Sequence, residues 1–483
     1  IDQTRGWSYS LLMENVILND DSIAPFKSFL FQGHVLDEKG NKMSKSAGNV
    51  IDAAWLLEQH PVDLIRFYFI WKSSPIESLN FSIKEMSSRP YQILSTLYYL
   101  HVYLKQNSVL DNFNRTTHNL QWIRHNNLLE LPEMWLLSVL QNLINNVNVY
   151  YETCKFHEAA KAIEDFIINN ISQTYIPLTR NDIWDDSIEQ INRRLTIFTI
   201  LDYVLEKIDV ILHPISPFLT DYLYLNCFLN DKSYKEKTSI LLSKWPEPIN
   251  YLLNDDLENT FEKIKIIISI SNSATFKAKQ KRRWPISTII ICNFYDKDDK
   301  DISLEQELLK PEISAILKNQ LNVETIQIKQ ISANDKIEKV LGLLETGNPI
   351  IPNVSLVKKN IAPRVKSDIG KVITSFEKID KITVLRSLQN SDIFIMQYND
   401  DLSSSIEISR DDIDISFNTM DGFVSAEREN FMIFISSLRD PVLIMKGLLR
   451  DLARNLQQLR KEKSYNPTEI LSTAHVAKLD KNE

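Results

Sequence analysis

The most informative stretch of the chain is Lys42-Met43-Ser44-Lys45-Ser46, which directly follows a polar turn at residues 37–41. The apolar residues from Phe26 to Leu36 predict a strand before that turn. The stretch therefore places two ammonium groups, with hydroxyls between and beside them, on a turn at the end of a strand. Such a turn can close over a triphosphate, because lysine binds phosphate as a point charge and stabilises negative charge that develops on leaving pyrophosphate.

The same stretch resembles the KMSKS signature of class I aminoacyl-tRNA synthetases, which also follows a strand of a nucleotide-binding sheet. Residues 33–37 and 48–52, on either side of it, are similar to the subgroup that handles isoleucine, valine and leucine. The resemblance implies that Lys45 is the principal pyrophosphate contact and that Lys42 assists it. It also implies that ATP, carried with Mg²⁺, meets further residues of this region, namely Gly33, His34, Met43, Ser44 and Ser46.

The opening residues, Asp2-Gln3-Thr4-Arg5-Gly6-Trp7, resemble the DQ-x-RGW segment of isoleucyl-tRNA synthetases, with Thr4 in place of a frequent histidine. The resemblance implies that Asp2, Gln3 and Trp7 line the pocket for the amino acid and its adenylate. The chemistry is suitable, since Asp2 and Gln3 can hold ammonium or hydroxyl groups and Trp7 offers a flat apolar wall to a branched side chain. Taken alone, Trp7 would be read as a core residue.

A basic cluster near the middle of the chain, at residues 277–283, ends at Trp284. Such a cluster suits phosphate contact together with stacking on an unpaired base, although lysines at a helix end are also favoured by the helix dipole. Residues 283–285 resemble the K-L-R-W-P string of archaeal-type and eukaryotic-type isoleucyl enzymes, with Arg282 in place of leucine. We therefore predict tRNA contacts for Lys281, Arg282, Arg283 and Trp284.

Two further segments extend the resemblance towards the ends of the chain. Asp63 and Arg66 keep the D-x-x-R spacing of the family. Residues 447–461 resemble its EG-x-x-RD-x-x-R-x-x-Q-x-x-RK helix, with Lys446 where glutamate is usual. The similarity thus spans nearly the whole chain and is weakest from residue 296 to residue 430.

The resemblance and the hydrophobic periodicity predict a multidomain, mainly α protein. We expect the end of a Rossmann-like class I catalytic fold with a stem-contact region at 1–85, an α-helical anticodon-binding bundle at 86–284, and a small α/β tRNA-binding domain at 285–483. Apolar residues at helical spacing between residues 91 and 228 indicate the bundle, and Pro214 and Pro217 should break a long helix there. Other expected helices cover 53–59, 62–71, 255–281, 304–320, 365–379 and 441–463, with strands at 286–291 and 323–328.

The composition limits the chemistry further. At 483 residues with 43% apolar and 24% charged residues, the chain has the balance of a soluble globular protein of roughly three domains. Only 9 glycines are present, and no glycine-rich phosphate cradle is found. The 3 cysteines are far apart, so no zinc or other metal site is predicted, and Cys154 and His157 are interpreted as packing residues. A net charge of −8 still permits a local basic patch.

No apolar run approaches the length of a membrane span and no signal peptide opens the chain, so we expect a cytoplasmic monomer without membrane contact. The resemblance implies ATP-dependent activation of isoleucine and its transfer to tRNA-Ile. Because the HIGH signature and the editing insertion are missing, we expect a C-terminal fragment that is inactive in isolation but binds tRNA. The alternatives are a valyl-tRNA or leucyl-tRNA synthetase, or a non-catalytic tRNA-binding module derived from one.

Overall fold

The computed structural model describes residues 4–19, 23–228, 239–295, 304–398 and 404–465. Contacts divide the chain into two compact units, residues 1–258 and residues 259–483. The division falls inside the helix Asp255–Lys277 rather than at residue 85 or residue 284. The three-domain division expected from the sequence therefore stays a prediction, and the two units are described separately.

The first unit starts with two helical segments, which a βαβ arrangement follows. Its elements are a π-helical turn Thr4–Ser8, α1 Tyr9–Leu18, β1 Val35–Leu36, a 3₁₀ turn Lys45–Ala47, α2 Ala53–Gln59, α3 Val62–Lys72 and β2 Leu79–Asn80. β1 and β2 pair in parallel, with Val35 opposite Leu79 and Leu36 opposite Asn80. Parallel strands need a crossover connection, and α2 and α3 supply it, as the sequence predicted for both helices.

The predicted strand at residues 26–36 is largely wrong. Only Val35–Leu36 is a strand, and residues 26–31 are irregular. Their rings pack on one another instead, with centroid distances of 4.5 Å from Phe26 to Phe29 and 6.0 Å from Phe29 to Phe31. Among the described residues no strand pairs with this segment, so its backbone groups have no ladder of hydrogen bonds to join and it does not form a strand.

A helical bundle forms the rest of the first unit, as predicted. Its helices are α4 Ile83–Met86, α5 Arg89–Ser108, α6 Leu120–His125, α7 Leu131–Glu152, α8 Phe156–Asp165, α9 Ile176–Trp184, α10 Ile191–Leu212 and α11 Pro217–Leu223, with π-helical segments Phe166–Tyr175 and Tyr224–Phe228 and 3₁₀ turns Ile188–Gln190, Ile240–Leu242 and Asn250–Leu252. The helix break expected at Pro214 and Pro217 is confirmed between α10 and α11. Buried aromatic residues such as Trp135, Phe166 and Phe198 fill the core.

One charged pair lies fully inside this bundle. The Nε2 atom of His101 on α5 is 2.9 Å from the Oδ2 atom of Asp209 on α10, and its Nδ1 atom is 2.9 Å from the carbonyl oxygen of Leu97. Burial opposes a charge on His101, but the carboxylate of Asp209 outweighs that effect and raises the pKa of His101. The pair therefore joins two core helices by a charge-assisted hydrogen bond.

The second unit is an α/β assembly. Its elements are α12 Asp255–Lys277, which crosses the division, β3 Ile286–Tyr295, α13 Leu304–Leu308, α14 Pro311–Leu321, β4 Val323–Ser332, α15 Lys336–Glu345, β5 Ile350–Leu356, α16 Lys358–Val365, α17 Ile369–Lys378, α18 Lys381–Ser391, β6 Ile393–Gln397, β7 Ser405–Ser409, β8 Ile413–Thr419, β9 Phe423–Arg428, β10 Phe431–Ser436 and α19 Pro441–Glu462, with 3₁₀ turns Lys366–Asp368 and Arg410–Asp412.

Its main sheet has the strand order β4-β3-β10-β9, in which β3 and β4 are parallel and the other pairs antiparallel. Two further antiparallel pairs, β5 with β8 and β6 with β7, complete the unit. β10 is buried along its whole length, which fits its central place in the sheet.

Local backbone chemistry corrects three helix predictions. The helix expected at residues 304–320 is two helices, because Pro311 begins α14 and cannot donate the hydrogen bond that continuity needs. α12 ends at Lys277, before Lys279 adopts a left-handed backbone with φ of 53°. The helix expected from residue 365 starts at residue 369, since Lys366 has φ of 46°.

Candidate functional site

The lysine loop, defined as residues 37–49, is held by Asp37 and Asn49 at its two ends. The carboxylate of Asp37 accepts hydrogen bonds from the backbone N–H groups of Lys39 at 3.0 Å and Asn41 at 2.7 Å, and from the side-chain amide of Asn49 at 2.9 Å. Asn49 in turn accepts from the N–H of Ser44 at 3.0 Å. The hydrogen bonds from Asn49 and then Asn41 hold the pKa of Asp37 below its usual value.

The two lysines of the loop project from this framework. Lys42 forms a single bridge with Leu36 through its backbone, and Lys45 opens the 3₁₀ turn that Ser44 caps with its hydroxyl, which accepts from Ala47 N–H at 3.2 Å. Both lysine side chains are exposed, and among the described residues neither ammonium group has an ion pair or hydrogen bond. The arrangement thus presents two uncompensated positive charges on an ordered turn, which suits a polyphosphate.

Gly33 and His34 fix the strand that leads into the loop. A Cβ atom on Gly33 would lie 1.9 Å from the carbonyl oxygen of Glu77, and its N–H donates to the carbonyl of Pro75 at 2.7 Å. The carbonyl of His34 accepts from the N–H of Leu79 at 2.8 Å, while its side chain is exposed. Both residues thus secure β1 against β2, and their contact with ATP stays a prediction.

The predicted amino-acid pocket is described only in part. Asp2 and Gln3 lie outside the described residues. Trp7 is described and is 79% exposed, and no residue of α1 is buried. An open cavity of about 780 Å³ is lined by Thr4, Arg5, Tyr9 and Phe31, and Trp7 is not part of this lining. The role of Trp7 in holding the amino acid stays a prediction.

Asp63 and Arg66 connect the crossover helix α3 to the bundle, a role that the sequence did not assign. The carboxylate of Asp63 accepts from the N–H of Leu219 at 2.6 Å, in the first turn of α11. The guanidinium of Arg66 donates to the carbonyl oxygens of Ile215 at 3.0 Å and Pro214 at 3.1 Å. Burial raises the pKa of Asp63. The i, i+3 spacing was the available clue, since it puts both side chains on one helix face.

The basic cluster of the second unit meets the C-terminal helix α19. Lys281 and Arg283 both pair with Asp451, the former at 3.0 Å. The indole N–H of Trp284 donates to the same carboxylate at 3.1 Å. Arg283 first, and then Lys281 and Trp284, hold the pKa of Asp451 well below its usual range. Two segments singled out separately in the sequence therefore form one contact.

Trp284 itself is half-buried in this contact. Gly447 of α19 lies against its ring. The guanidinium of Arg439 lies over the ring, 4.5 Å from the ring centroid, in a cation–π contact. Arg282 is exposed, and its side chain has no partner among the residues that the structure describes. Base stacking by Trp284 and phosphate contact by Lys281, Arg282 and Arg283 stay predictions.

The described ranges hold no group of three or more histidine, cysteine or acidic residues that could bind a metal. Burial raises the pKa of the Cys292 thiol to about 12, which makes it unreactive. In the same ranges, no helix has both the length and the apolar character needed to cross a membrane.

Two protein-family models match the chain. The model of class I tRNA synthetases (I, L, M and V) matches residues 1–82, and the model of the anticodon-binding domain of tRNA ligase matches residues 133–290. The first match covers the lysine loop and α3, whereas the second covers most of the bundle and the basic cluster.

Curated relatives match over a longer range. The chain is 27% identical over 461 residues to an isoleucine–tRNA ligase of Methanosarcina mazei, covering 95% of this chain and 41% of that protein. It is 28% identical over 466 residues to that of Thermococcus kodakarensis, covering 95% and 39%. A LeuRS–tRNA–LeuAMS complex from Agrobacterium radiobacter is similar at 14% identity with a TM-score of 0.40, covering 68% of this chain and 36% of that one.

The chain therefore spans about 40% of the length of the curated relatives it matches. The segments that carry the lysine loop, the bundle and the basic cluster all fall within the matched ranges. The chain is a homologue of isoleucine–tRNA ligases, and its residues 1–82 match the model of class I tRNA synthetases.

Proposed function

We propose that this chain is the C-terminal part of an isoleucine–tRNA ligase, acting in the cytoplasm as a monomer on ATP, isoleucine and tRNA-Ile. The observation that carries the proposal is the lysine loop, in which exposed Lys42 and Lys45 stand on a turn held by Asp37 and Asn49. The sequence similarity to isoleucine–tRNA ligases over 95% of the chain supports the choice of amino acid.

In this mechanism the carboxylate of isoleucine attacks the α-phosphorus of ATP, pyrophosphate leaves, and the aminoacyl group passes to a ribose hydroxyl of the tRNA. Lys45, assisted by Lys42, stabilises the charge that develops on the leaving pyrophosphate. Catalysis of this kind comes from interactions that are stronger in the transition state than in the ground state. Mg²⁺ travels with the triphosphate as part of the substrate.

The hydroxyls of Ser44 and Ser46, which lie 3.2 Å apart, face each other across the same turn. Together with Met43, Gly33 and His34 they are proposed to contact ATP. Asp2, Gln3 and Trp7 are proposed to hold isoleucine and its adenylate.

The test is pyrophosphate exchange by the complete protein, with this chain joined to the remainder of a ligase. Lys45→Ala should slow isoleucine-dependent exchange by roughly 10²-fold or more, because it removes a charge used in the transition state. Lys39→Ala is the matched control, since Lys39 lies on the same loop and contributes only its backbone N–H to the framework. Exchange within a few-fold of wild type in Lys45→Ala would refute the role.

The same measurement separates the neighbouring functions. Exchange that depends on valine or leucine in preference to isoleucine would replace our proposal with a valyl-tRNA or leucyl-tRNA synthetase. A non-catalytic tRNA-binding module would bind tRNA without supporting exchange in any complete form. The 483-residue chain alone is expected to bind tRNA and to be inactive in exchange.

A further inference from the structure

A cavity of about 400 Å³ opens in the second unit, away from the Trp284 contact. Five elements surround it: the C-terminal end of α12, the N-terminal part of α15, and the strands β8, β9 and β10. Three lysines, Lys277, Lys336 and Lys339, line it together with a single acidic residue, Glu427. The lining therefore carries a surplus of positive charge in a chain whose net charge is −8.

Two of the three lysines make contacts within the unit. The ammonium group of Lys277 donates to the carbonyl of Ser425 at 3.3 Å. Lys339 pairs with Glu427 at 2.9 Å and lies 4.4 Å from the ring centroid of Phe294. Lys336 is exposed and has no ion pair or hydrogen bond among the described residues.

The pair between Lys339 and Glu427 does not cancel the attraction for an anion. The Glu427 side chain is 57% exposed, and exposed ion pairs contribute little because water screens them. An incoming phosphate would compete with that carboxylate for Lys339 while also meeting Lys277 and Lys336. Ser425 in the lining adds a hydroxyl donor that a phosphate oxygen can accept from, whereas the hydroxyl of Ser416 already donates to the carbonyl oxygen of Asn353 at 3.4 Å.

Below the lysines the lining changes character. The remaining residues are apolar, namely Val340, Ile415, Phe417, Ala426 and Met432. A phosphate group alone would occupy only the charged rim of this volume. A nucleotide unit of an RNA chain uses both parts, because its phosphate meets the ammonium groups while its sugar or base contacts the apolar floor.

We propose that this lysine pocket binds one nucleotide unit of the tRNA, with the phosphate held by Lys277, Lys336 and Lys339. The inference rests on the tRNA binding proposed above and adds a contact site outside the lysine loop. The site is also distinct from the contact that Lys281, Arg283 and Trp284 make with Asp451, and Lys277 is its one member of the basic cluster at residues 277–283. The pocket would raise the affinity for tRNA through contact with a phosphate and would not distinguish one base from another.

The experiment measures binding of fluorescently labelled tRNA-Ile transcript to the 483-residue chain by anisotropy over a series of KCl concentrations. The combined Lys277→Gln, Lys336→Gln, Lys339→Gln variant should bind about tenfold more weakly near physiological salt, with the slope of log K against log salt reduced by about 1. The corresponding Lys→Arg variant should bind as wild type does, because it keeps the charges.

The matched control replaces Lys358, Lys359 and Lys378 with glutamine, three exposed lysines of the same unit that do not line the pocket. It removes the same total charge and should leave the salt slope nearly unchanged. Thermal unfolding of each variant verifies that its fold is retained. If the pocket variant and this control lose equal affinity and slope, the pocket assignment is overturned.

A wild-type chain that fails to bind tRNA would overturn the proposed function itself, and the inference with it. Inorganic phosphate, exchanged for chloride at equal ionic strength, tests the other source of the same chemistry. If phosphate raises the unfolding midpoint of wild type but not of the pocket variant, while both bind tRNA equally, the pocket takes free phosphate and the RNA assignment is wrong.

Discussion

Replacing Gly447 with alanine should detach the C-terminal helix α19 from Trp284. A Cβ atom at residue 447 would lie 2.6 Å from two carbons of the indole ring, about 1 Å closer than carbon atoms pack. The ring cannot move without cost, because its N–H is bonded to Asp451 at 3.1 Å and Arg439 lies over it at 4.5 Å. The substitution therefore forces a rigid, anchored side chain out of place.

The magnitude follows from two opposing effects. Overpacking of this kind costs up to about 3 kcal/mol, whereas alanine is favoured over glycine in a helix by about 1 kcal/mol. The free energy of opening α19 from the unit should therefore fall by about 2 kcal/mol, which corresponds to roughly 30-fold faster amide exchange where exchange proceeds through that opening.

Hydrogen–deuterium exchange of the amides in α19 is the measurement. Gly370→Ala is the matched control, since a Cβ atom at residue 370 of α17 meets nothing within 4 Å. That variant should slow exchange slightly in its own helix through the same helix preference. Exchange in α19 of Gly447→Ala that equals or is slower than wild type would refute the packing argument.

Three further outcomes are expected. Asn49→Ala should lower pyrophosphate exchange in the complete protein by about tenfold and raise the KM for ATP, because the loop loses the amide that joins Asp37 to the N–H of Ser44. Asn41→Ala should have a smaller effect, because the side chain of Asn41 makes only a long hydrogen bond of 3.4 Å to Asp37. Equal effects of the two substitutions would contradict this reasoning. Gly33→Ala should disrupt β1–β2 pairing and cost more than 2 kcal/mol or so, whereas Gly48→Ala, with φ of 64° and no close atom, should cost about 1 kcal/mol in urea unfolding. Because Asp209 raises the pKa of His101, the pair between them stabilises the fold fully below the unfolded-state pKa of His101, about 6.5. This stabilisation is lost as the pH rises through the folded-state pKa of His101. The advantage of wild type over Asp209→Asn in the free energy of unfolding should therefore shrink as the pH rises above about 6.5. Burial lowers the pKa of His118 and His213 in both proteins alike, so their opposite pH dependence cancels in this difference, and a difference that does not change with pH would show that the pair makes no such contribution.

Periodicity and proline position predicted most of the helices, because both act within a few residues. α2, α3, the bundle and α19 were found where apolar spacing and chain-breaking residues placed them. Of the strand expected at residues 26–36 only Val35–Leu36 was found, since a strand needs a partner and its partner cannot be read from local sequence. The end of α12 and the start of α17 depend on Lys279 and Lys366, whose backbones have positive φ. Lysine gives no sequence signal for this conformation, which glycine and asparagine adopt far more often.

In the candidate site, too, local features were predictable from the sequence and long-range contacts were not. Lys42 and Lys45 were predicted from a local string, and the structure adds the framework of Asp37 and Asn49 that orders them. The contact between Trp284 and Asp451 joins residues 167 positions apart, so neither segment alone could indicate it. Long-range partners of this kind are fixed by tertiary packing, which sequence periodicity does not encode.

The anchorage of α3 by Asp63 and Arg66 determines how this protein can be dissected. A piece that starts at residue 86 would keep the bundle helices but leave the carbonyls of Pro214 and Ile215 and the N–H of Leu219 without the side chains that satisfy them. Restoring those partners requires beginning no later than residue 62, where α3 starts. The shortest stable piece that contains the bundle should therefore carry the crossover helix α3 with it.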